Sequence, residues 1–303
     1  MIVKVLGSAA GGGFPQINCR CRNCADVRSG ARGLSPRTQS SLAVSVDGMR
    51  WLLLNASPDL RQQVSAAPEL APRVQCSLRS SPIVGVALTN GDVDHVAGLL
   101  SLREGIAFGL YATPRVLATL AANSVFNVLD MRCVQRVALQ PGQTVETSSG
   151  LTVEAYPVPG KVALYLERPE PGFGTREGDT VGLAIGDPTS GAVFHYIPGC
   201  AAVDDRLAAR LQGAFLVFFD GTLYSDAEMI AQGLSDKTGK RMGHISMSGA
   251  QGSLAAFETL GVKRRIYVHI NNSNPVLREG SPERAHVERA GWEIAWDGME
   301  VRL

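Results

Sequence analysis

From Val84 to Leu100 the chain reads VGVALTNGDVDHVAGLL. Its apolar, partly β-branched beginning predicts a buried parallel strand, and the leucines at its end predict the inner face of a helix. Asp92, Asp94 and His95 are therefore expected on a turn at the carboxyl end of a strand, where α/β folds bind ligands. These three side chains are the first candidates for a functional site.

Two interpretations of this cluster are open from the residues alone. Carboxylates and an imidazole within four residues suit a first-row divalent metal. Asp92 and Asp94 would equally cap the following helix, because Asp is favoured at helix N-termini and complements the helix dipole. A short motif does not separate the two interpretations by itself.

The composition is that of a globular chain with enough apolar residues for a large core, since 45% of its 303 residues are hydrophobic and 19% are charged. The formal net charge of +1 is spread without a basic run, so nothing indicates nucleic acid or an anionic membrane as a partner. No stretch approaches the roughly 20 apolar residues that span a bilayer, and the chain begins with a strand rather than a leader. We therefore expect a cytoplasmic protein without membrane insertion.

Three of the six cysteines, Cys19, Cys21 and Cys24, form a C-x-C-x-x-C cluster in a loop of about residues 7–26 that begins with a run of glycines. Thiolates on one short loop can point at a common centre, and in a reducing compartment zinc is the expected ion. Free or redox-active thiols are the alternative. A structural zinc here would need a fourth ligand from elsewhere in the chain.

Strand and helix patterns alternate along the chain, with helices expected at Pro114–Ala122 and Ser248–Leu260 among others. About a dozen strand signals exceed the roughly 4 to 6 strands of a usual single sheet. The α/β (α+β layered) class is therefore expected, as an αββα sandwich in one domain over residues 1–303; a single doubly wound sheet is the alternative. The segment Glu167–Gly174 is rich in Pro and Gly and is expected to be a lid or a mobile loop.

Five histidines are few enough to assess singly. His269 closes a predicted strand and is the strongest candidate ligand after His95. His244 lies on a polar turn before a predicted helix, where functional and structural roles are equally open. His195 is expected to be a hydrogen-bonded sheet residue, and His286 a surface residue.

The stretch Thr89 to Gly98 resembles the metallo-β-lactamase signature, T-H-x-H-x-D-H-x-x-G. Asp94, His95 and Gly98 match it, whereas Asn90 and Asp92 replace its first two histidines. In that superfamily the first two histidines hold one metal and the Asp-His pair belongs to the second. The resemblance implies a metallo-β-lactamase fold that has kept its second half-site and altered the first.

The glycine-rich first loop with its C-x-C-x-x-C cluster resembles a subgroup of metallo-β-lactamase phosphodiesterases that hold a structural zinc there. In that subgroup the fourth ligand is a His three positions beyond a late active-site His. This chain has Asn272 at that place after His269. The fourth ligand is therefore open.

Features along nearly the whole chain resemble the coenzyme PQQ synthesis protein B family, among them Tyr196 to Cys200, Phe219 to Thr222 and Val268 to Asn272. The resemblance implies a role in pyrroloquinoline quinone (PQQ) biosynthesis, on a tyrosine-containing fragment of a precursor peptide. It implies such a peptide or a PQQ intermediate as the ligand, with other PQQ biosynthesis proteins as possible partners. A carrier that helps to move PQQ or its precursor toward the periplasm is the alternative.

Asp94, His95 and His269 make two imidazoles and one carboxylate, which is the ligand set of non-haem Fe(II) oxygenases. We therefore expect an iron-dependent tyrosine hydroxylase, in which Asp92 is either a fourth iron ligand or orients one, and His244 contacts the substrate or relays a proton. A zinc hydrolase ranks lower, because the first half-site is altered and the usual bridging Asp of the superfamily falls near Gly199.

Overall fold

A computed structural model of the chain describes residues 1–74 and 76–303. In chain order its strands are β1 Ile2–Gly7, β2 Ser41–Ser45, β3 Trp51–Leu54, β4 Ile83–Ala87, β5 Phe108–Ala112, β6 Val134–Ala138, β7 Thr144–Glu146, β8 Thr152–Pro157, β9 Val181–Gly186, β10 Val193–Ile197, β11 Leu216–Asp220, β12 Arg264–Val268, β13 Trp292–Ile294 and β14 Glu300–Arg302.

The α-helices are α1 Arg22–Arg28, α2 Leu60–Ala66, α3 Val93–Val96, α4 Pro114–Ala122, α5 Asp205–Leu211, α6 Glu228–Ala231, α7 Gly239–Met242, α8 Ser253–Ala256 and α9 Pro282–Arg289. Short 3-10 helices cover Pro68–Leu70, Ala97–Leu102, Ser124–Val128, Leu164–Leu166, Pro171–Gly174 and Pro275–Leu277. No helix in the described part of the chain is long and apolar enough to cross a membrane.

The strands form two seven-stranded sheets, with the orders β14-β1-β2-β3-β4-β5-β6 and β13-β12-β11-β10-β9-β8-β7. In each sheet the strands next to the functional loops are parallel: β3 to β6 in the first and β10 to β13 in the second. The predicted αββα sandwich is confirmed, and the doubly wound single sheet is wrong. Parallel strands bring their carboxyl ends to one edge of a sheet, so the loops after β4, β11 and β12 can meet.

The core has three apolar layers because strand side chains alternate between two faces. Within β4, Ala87 faces the layer between the sheets, which also holds Phe218 of β11, whereas Val86 packs beneath the helices outside the first sheet. Helices α2 and α4 contribute Leu60 and Val116 to that outer layer. Helices α5 and α9 cover the second sheet in the same way.

Two helices differ from the sequence prediction. The helix predicted after the Asp92–His95 turn is the short α3, which includes His95, followed by a 3-10 helix. Gly98 lies so close to the loop before α2 that a Cβ there would be 2.2 Å from the Ser57 carbonyl oxygen. The helix predicted at Ser248–Leu260 shrinks to α8, because Gly249 adopts a left-handed φ of +89° and turns the chain before the helix begins.

Candidate metal centre

The first group of candidate ligands contains Asp94 and His95 of α3 together with His269, which follows β12. Their ligand atoms lie within 4.8 Å of one another. The Oδ2 atom of Asp94 is 3.1 Å from His269 Nε2 and 3.8 Å from His95 Nε2. The structure thus brings together the two-imidazole, one-carboxylate set that the sequence predicts, although Asp94 and His269 are 175 residues apart.

The His269 backbone is held in an unusual conformation. Its φ of +56° lies in the left-handed region, which residues other than glycine rarely adopt. The hydroxyl of Thr222 donates to the His269 carbonyl at 3.1 Å, and the next residue, Ile270, exchanges backbone hydrogen bonds with Ser8 and Ala10 beyond β1. The first loop of the chain therefore holds the strained position, and such outliers concentrate at functional sites.

The His95 ring is oriented by a residue that replaces a superfamily histidine. Its Nδ1 atom is 2.7 Å from Asn90 Oδ1, which fixes Nδ1 as the protonated nitrogen. The other ring nitrogen, Nε2, is buried and has no hydrogen-bond partner among residues 1–74 and 76–303. A buried polar atom without a partner is costly in a protein interior, and a metal ion would satisfy it.

The protonation states also favour a cation at this centre. Burial lowers the pKa of His95 to about 4, so the imidazole is neutral at pH 7 and its Nε2 lone pair is free. Burial opposes ionisation of Asp94, but the neighbouring His95 and His269 imidazoles outweigh it and lower the pKa of this carboxyl. A neutral imidazole and an ionised carboxylate are the forms that ligate a metal.

A second group of candidate ligands shares His269 and adds Asp220 and His244. Asp220 Oδ2 is 2.7 Å from His244 Nδ1 and accepts from the Cys200 amide at 2.8 Å. Burial would lower the pKa of His244, but the Asp220 carboxylate outweighs it and raises the pKa. His244, which the sequence predicts as a site residue, therefore lies beside the first group and is paired with the buried carboxylate of Asp220.

Sequence reasoning missed Asp220 as a site residue. It expected the bridging Asp of the superfamily near Gly199, whereas the structure places Asp220, the last residue of β11, in the centre. Gly199 lies beside His244, and a Cβ there would be 3.7 Å from the imidazole Cε1. The sequence offered one signal: Asp220 comes directly after the apolar run Leu216 to Phe219. An apolar run also precedes Asp92 and Asp94.

Asp92 lies next to these groups but belongs to neither of them among the described residues. It holds the N-cap position of α3, yet its side chain makes no capping hydrogen bond and accepts from the Leu164 amide at 3.3 Å. Burial and the Asp94 carboxylate raise the pKa of Asp92. The side-chain capping interpretation is wrong for Asp92, and its role as an iron ligand stays a prediction.

The predicted zinc cluster forms a compact group of thiols. The Sγ atoms of Cys19, Cys21 and Cys24 lie within 4.8 Å of one another. Asn272 faces all three, with its Nδ2 atom 3.1, 3.6 and 3.4 Å from the respective sulfurs. Burial raises the pKa of Cys24 to about 11. Asn272 therefore lies where the sequence left the fourth ligand open, and a zinc ion would explain why three buried or half-buried thiols converge.

The remaining two histidines lie outside both groups. His195 is buried in β10 and its Nδ1 atom is 3.0 Å from the Tyr156 hydroxyl, as expected of a satisfied sheet residue. His286 is exposed on α9, where its Nδ1 atom is 2.9 Å from the Tyr224 hydroxyl.

A pocket of about 650 Å³ opens over the candidate metal ligands. Asp92, Asp94 and His95 are among the residues that line it. Residues 160–178, between β8 and β9, contribute Lys161, Leu164 and Glu167 to its rim, and we call this segment the lid. Glu167–Gly174, the stretch predicted to be a lid or a mobile loop, lies within this segment.

Comparison with known proteins agrees with this geometry. Residues 50–270 match the family model of the beta-lactamase superfamily domain, so the chain is a member of the metallo-β-lactamase superfamily. A diphosphatase of the PhnP family shares the fold, at 21% identity and a TM-score of 0.68 over 99% of this chain and 96% of that one.

Within the superfamily, the chain belongs to the coenzyme PQQ synthesis protein B family. It is 54% identical to the coenzyme PQQ synthesis protein B of Rhizobium meliloti (strain 1021) over 301 residues, which are 99% of this chain and 97% of the relative. The crystal structure of Zn²⁺-bound PqqB from Methylobacterium extorquens is 52% identical, covers both chains completely and has a TM-score of 0.96. The resemblance seen in the sequence is therefore confirmed.

Proposed function

We propose that this protein acts in PQQ synthesis as a metal-dependent oxygenase that hydroxylates the ring of a tyrosine in a small precursor peptide. The names of its relatives support the pathway. One observation carries the reaction type: His95 Nε2 is buried beside Asp94 and His269, and it has no hydrogen-bond partner among the residues that the structure describes. A metal ion held by these three side chains would have positions left for oxygen and substrate, as in non-haem Fe(II) oxygenases.

Asp94, His95 and His269 are the residues that would hold Fe(II), and their neutral imidazole and ionised carboxylate fit that ion. When bound, the ion supplies the one-electron chemistry that lets O₂ react with an aromatic ring. Asn90 fixes the His95 tautomer, and Thr222 bonds His269 Nδ1 at 2.8 Å. The protein's part is to orient these ligands before substrate enters.

Hydroxylation needs protons and electrons from outside the substrate. The balanced reaction converts an aromatic C–H, O₂, two electrons and two protons into C–OH and water, with a two-electron reductant such as ascorbate. His244 Nδ1 donates to Asp220 Oδ2, and this carboxylate raises the pKa of His244 against the effect of burial, which favours the protonated ring. His244 is therefore the group that would deliver a proton in the pocket.

The test is anaerobic loading with Fe(II), followed by oxygen, ascorbate and a short tyrosine peptide. We expect one O₂ consumed for each catechol formed, and inhibition by zinc. Asp94→Ala and His269→Ala should abolish iron binding and product, His244→Asn should keep iron but slow turnover, and His286→Asn on the surface should behave as wild type. Oxygen-independent turnover, or full activity with zinc alone, would refute the proposal.

A zinc hydrolase is the second candidate, because Asp220, His244 and His269 form another ligand group next to the first. Hydrolysis uses a metal-activated water and consumes no oxygen. Zinc-loaded protein that cleaves bis(p-nitrophenyl) phosphate, with loss of cleavage in Asp220→Asn, would favour this function. A carrier of PQQ or its precursor would bind its cargo in the same experiment with neither oxygen uptake nor hydrolysis.

A further inference from the structure

The lid is tied directly to the loop that carries the candidate ligands. The amide of Leu164 donates to Asp92 Oδ1 at 3.3 Å, and the Tyr165 hydroxyl donates to the Gly91 carbonyl at 2.8 Å. Leu164 and Tyr165 are nevertheless well exposed apolar or aromatic side chains. At Leu164 and Tyr165 the lid is thus fastened to the edge of the pocket by polar contacts rather than by burial of these two side chains.

A carboxylate from the lid lies between two cations in the pocket wall. Glu167 Oε1 is 2.6 Å from Lys161 Nζ, and Glu167 Oε2 is 3.0 Å from Arg241 Nη2. The Glu167 side chain is only 13% exposed. Hydrogen bonds from Arg241 and Lys161 outweigh burial and lower the pKa of Glu167 to about 2, so it is ionised at every pH at which the protein would act.

Both cations are held in place independently of Glu167. The guanidinium of Arg241 lies 3.6 Å from the centre of the Phe173 ring, which fixes the plane of its donors. The aliphatic stem of Lys161 packs against Gly243, whose φ is +90° and where a Cβ would be 2.9 Å from Lys161 Cγ. Only glycine combines this backbone conformation with this close approach, so the position next to His244 is shaped around the lysine.

The pocket lining carries charges of both signs. Its carboxylates are Asp92, Asp94, Glu167 and Asp236, and its cations are Lys161, Lys237 and Arg241. Glu167 is a single carboxylate paired with two of these cations, Lys161 and Arg241. This pair therefore keeps an excess of positive charge, which favours an anionic group of a ligand.

We propose that Lys161 and Arg241 form a carboxylate-binding subsite for the substrate, and that Glu167 of the lid occupies this subsite until a substrate carboxylate displaces it. The proposal rests on the proposed function only in that the pocket receives the substrate. The planar fork of Arg241 matches a carboxylate in two-point contact. Displacement of Glu167 would release the lid at this residue, while the contacts of Leu164 with Asp92 and of Tyr165 with Gly91 would remain.

The experiment measures binding without turnover. Zinc-loaded protein is titrated calorimetrically with acetyl-alanyl-tyrosine and with its C-terminal amide, which differ by one carboxylate. Wild type should bind the acid about tenfold more tightly than the amide. Arg241→Gln and Lys161→Met should each remove most of that preference. Because both cations are tested separately, the test still holds if one of the two variants fails to fold.

Glu167→Gln is the decisive variant, because it removes the internal competitor. The affinity of this variant for the acid should be about threefold higher than that of wild type, and its affinity for the amide should be unchanged. Glu177→Gln is the matched control, since Glu177 lies on the same lid but pairs with Arg206 at 3.8 Å with its side chain 64% exposed. Equal binding of acid and amide by wild type, no binding of the acid, or weaker acid binding by Glu167→Gln would overturn the proposal. Failure of hydroxylation alone would leave these affinities unchanged, so the two proposals fail separately.

Discussion

One hydroxyl connects the two groups of candidate ligands. Thr222 Oγ1 lies 2.6 Å from Asp220 Oδ1, 3.0 Å from His244 Nδ1 and 2.8 Å from His269 Nδ1. It also bonds the carbonyl of the strained His269. A single buried side chain thus sets the orientation of His269, the imidazole that both groups share.

Thr222→Val keeps the shape of this side chain and removes the hydroxyl. We expect zinc affinity to fall roughly 10-fold to 100-fold, the usual effect of losing a group that orients a metal-binding histidine. Competition with a chromophoric chelator measures the affinity. Thr222→Ser, which keeps the hydroxyl, is the control, and equal affinities in the two variants would show that Thr222 does not position the ligands.

At the scale of elements, the cysteine loop is held against the loop after β12. Asn272 faces the thiols, and the Asn23 side chain of α1 donates to the Asn272 and Asn274 carbonyls at 3.1 and 2.9 Å. This loop begins with His269, and Asn272 lies three residues further on. A metal on the thiols would therefore stabilise the same loop that positions the shared histidine.

The triple variant Cys19→Ser, Cys21→Ser, Cys24→Ser tests this structural zinc. We expect purified protein to lose one zinc per chain and to unfold at lower denaturant concentration, because metal binding is coupled to folding. Elemental analysis and urea unfolding measure the two effects. Cys133→Ser, outside the cluster, should change neither, and unchanged zinc content in the triple variant would refute the assignment.

His195 in β10 makes stability depend on pH at a distance from the metal centre. Burial, with a smaller contribution from Arg210, lowers the pKa of His195 to about 4 from 6.5. Between pH 6.5 and 4 the His195 imidazole is protonated in the unfolded chain and neutral in the folded chain. The contribution of neutral His195 to the free energy of unfolding is therefore fully present above pH 6.5 and is lost as the pH falls to 4.

His195→Gln removes the titrating ring and keeps an acceptor for the Tyr156 hydroxyl. Between pH 7 and 4.5 wild type should lose on the order of 2 kcal/mol more unfolding free energy than the variant. Urea unfolding at the two pH values gives this difference. His286→Gln, at an exposed histidine, should follow wild type, and parallel curves for all three proteins would contradict the buried neutral state of His195.

At the scale of the molecule, the candidate metal centre joins the two sheets. Asp94 and His95 follow β4 of the first sheet. In the second sheet His269 follows β12, and Asp220 is the last residue of β11. A bound ion would therefore link both halves of the sandwich in the folded state, and the unfolded chain does not present these ligands together.

Metal removal should lower global stability. With free zinc at a hundredfold excess over Kd, binding adds about 2.7 kcal/mol, so we expect the unfolding midpoint of chelator-treated protein to rise by roughly 5 °C when zinc is restored. Scanning calorimetry measures the midpoint. Asp94→Asn should reduce this response to what zinc at the thiol cluster contributes, and His286→Asn should keep it in full, whereas an equal response in both variants would place the stabilising metal elsewhere.

The sequence by itself determined the features that depend on neighbours in the chain. The apolar run of β4 followed by Asp94 and His95 predicted a strand, a turn and two ligands, and the Cys19 to Cys24 spacing predicted the thiol cluster. Alternating strands predicted two sheets. These patterns succeed because side-chain period and short-range spacing follow directly from backbone geometry.

Only the tertiary structure decided which distant residues meet. The Lys161–Glu167–Arg241 cluster carries no local pattern that separates it from ordinary surface residues. Asp220 follows an apolar run and Asn272 follows His269, but neither position shows which distant residues these side chains meet. Their positions depend on how two sheets pack and where a loop of nineteen residues, 160–178, lies across them. Long-range packing sets those contacts, so a single aspartate at the end of β11 acquires its place in the metal centre only when both sheets are assembled.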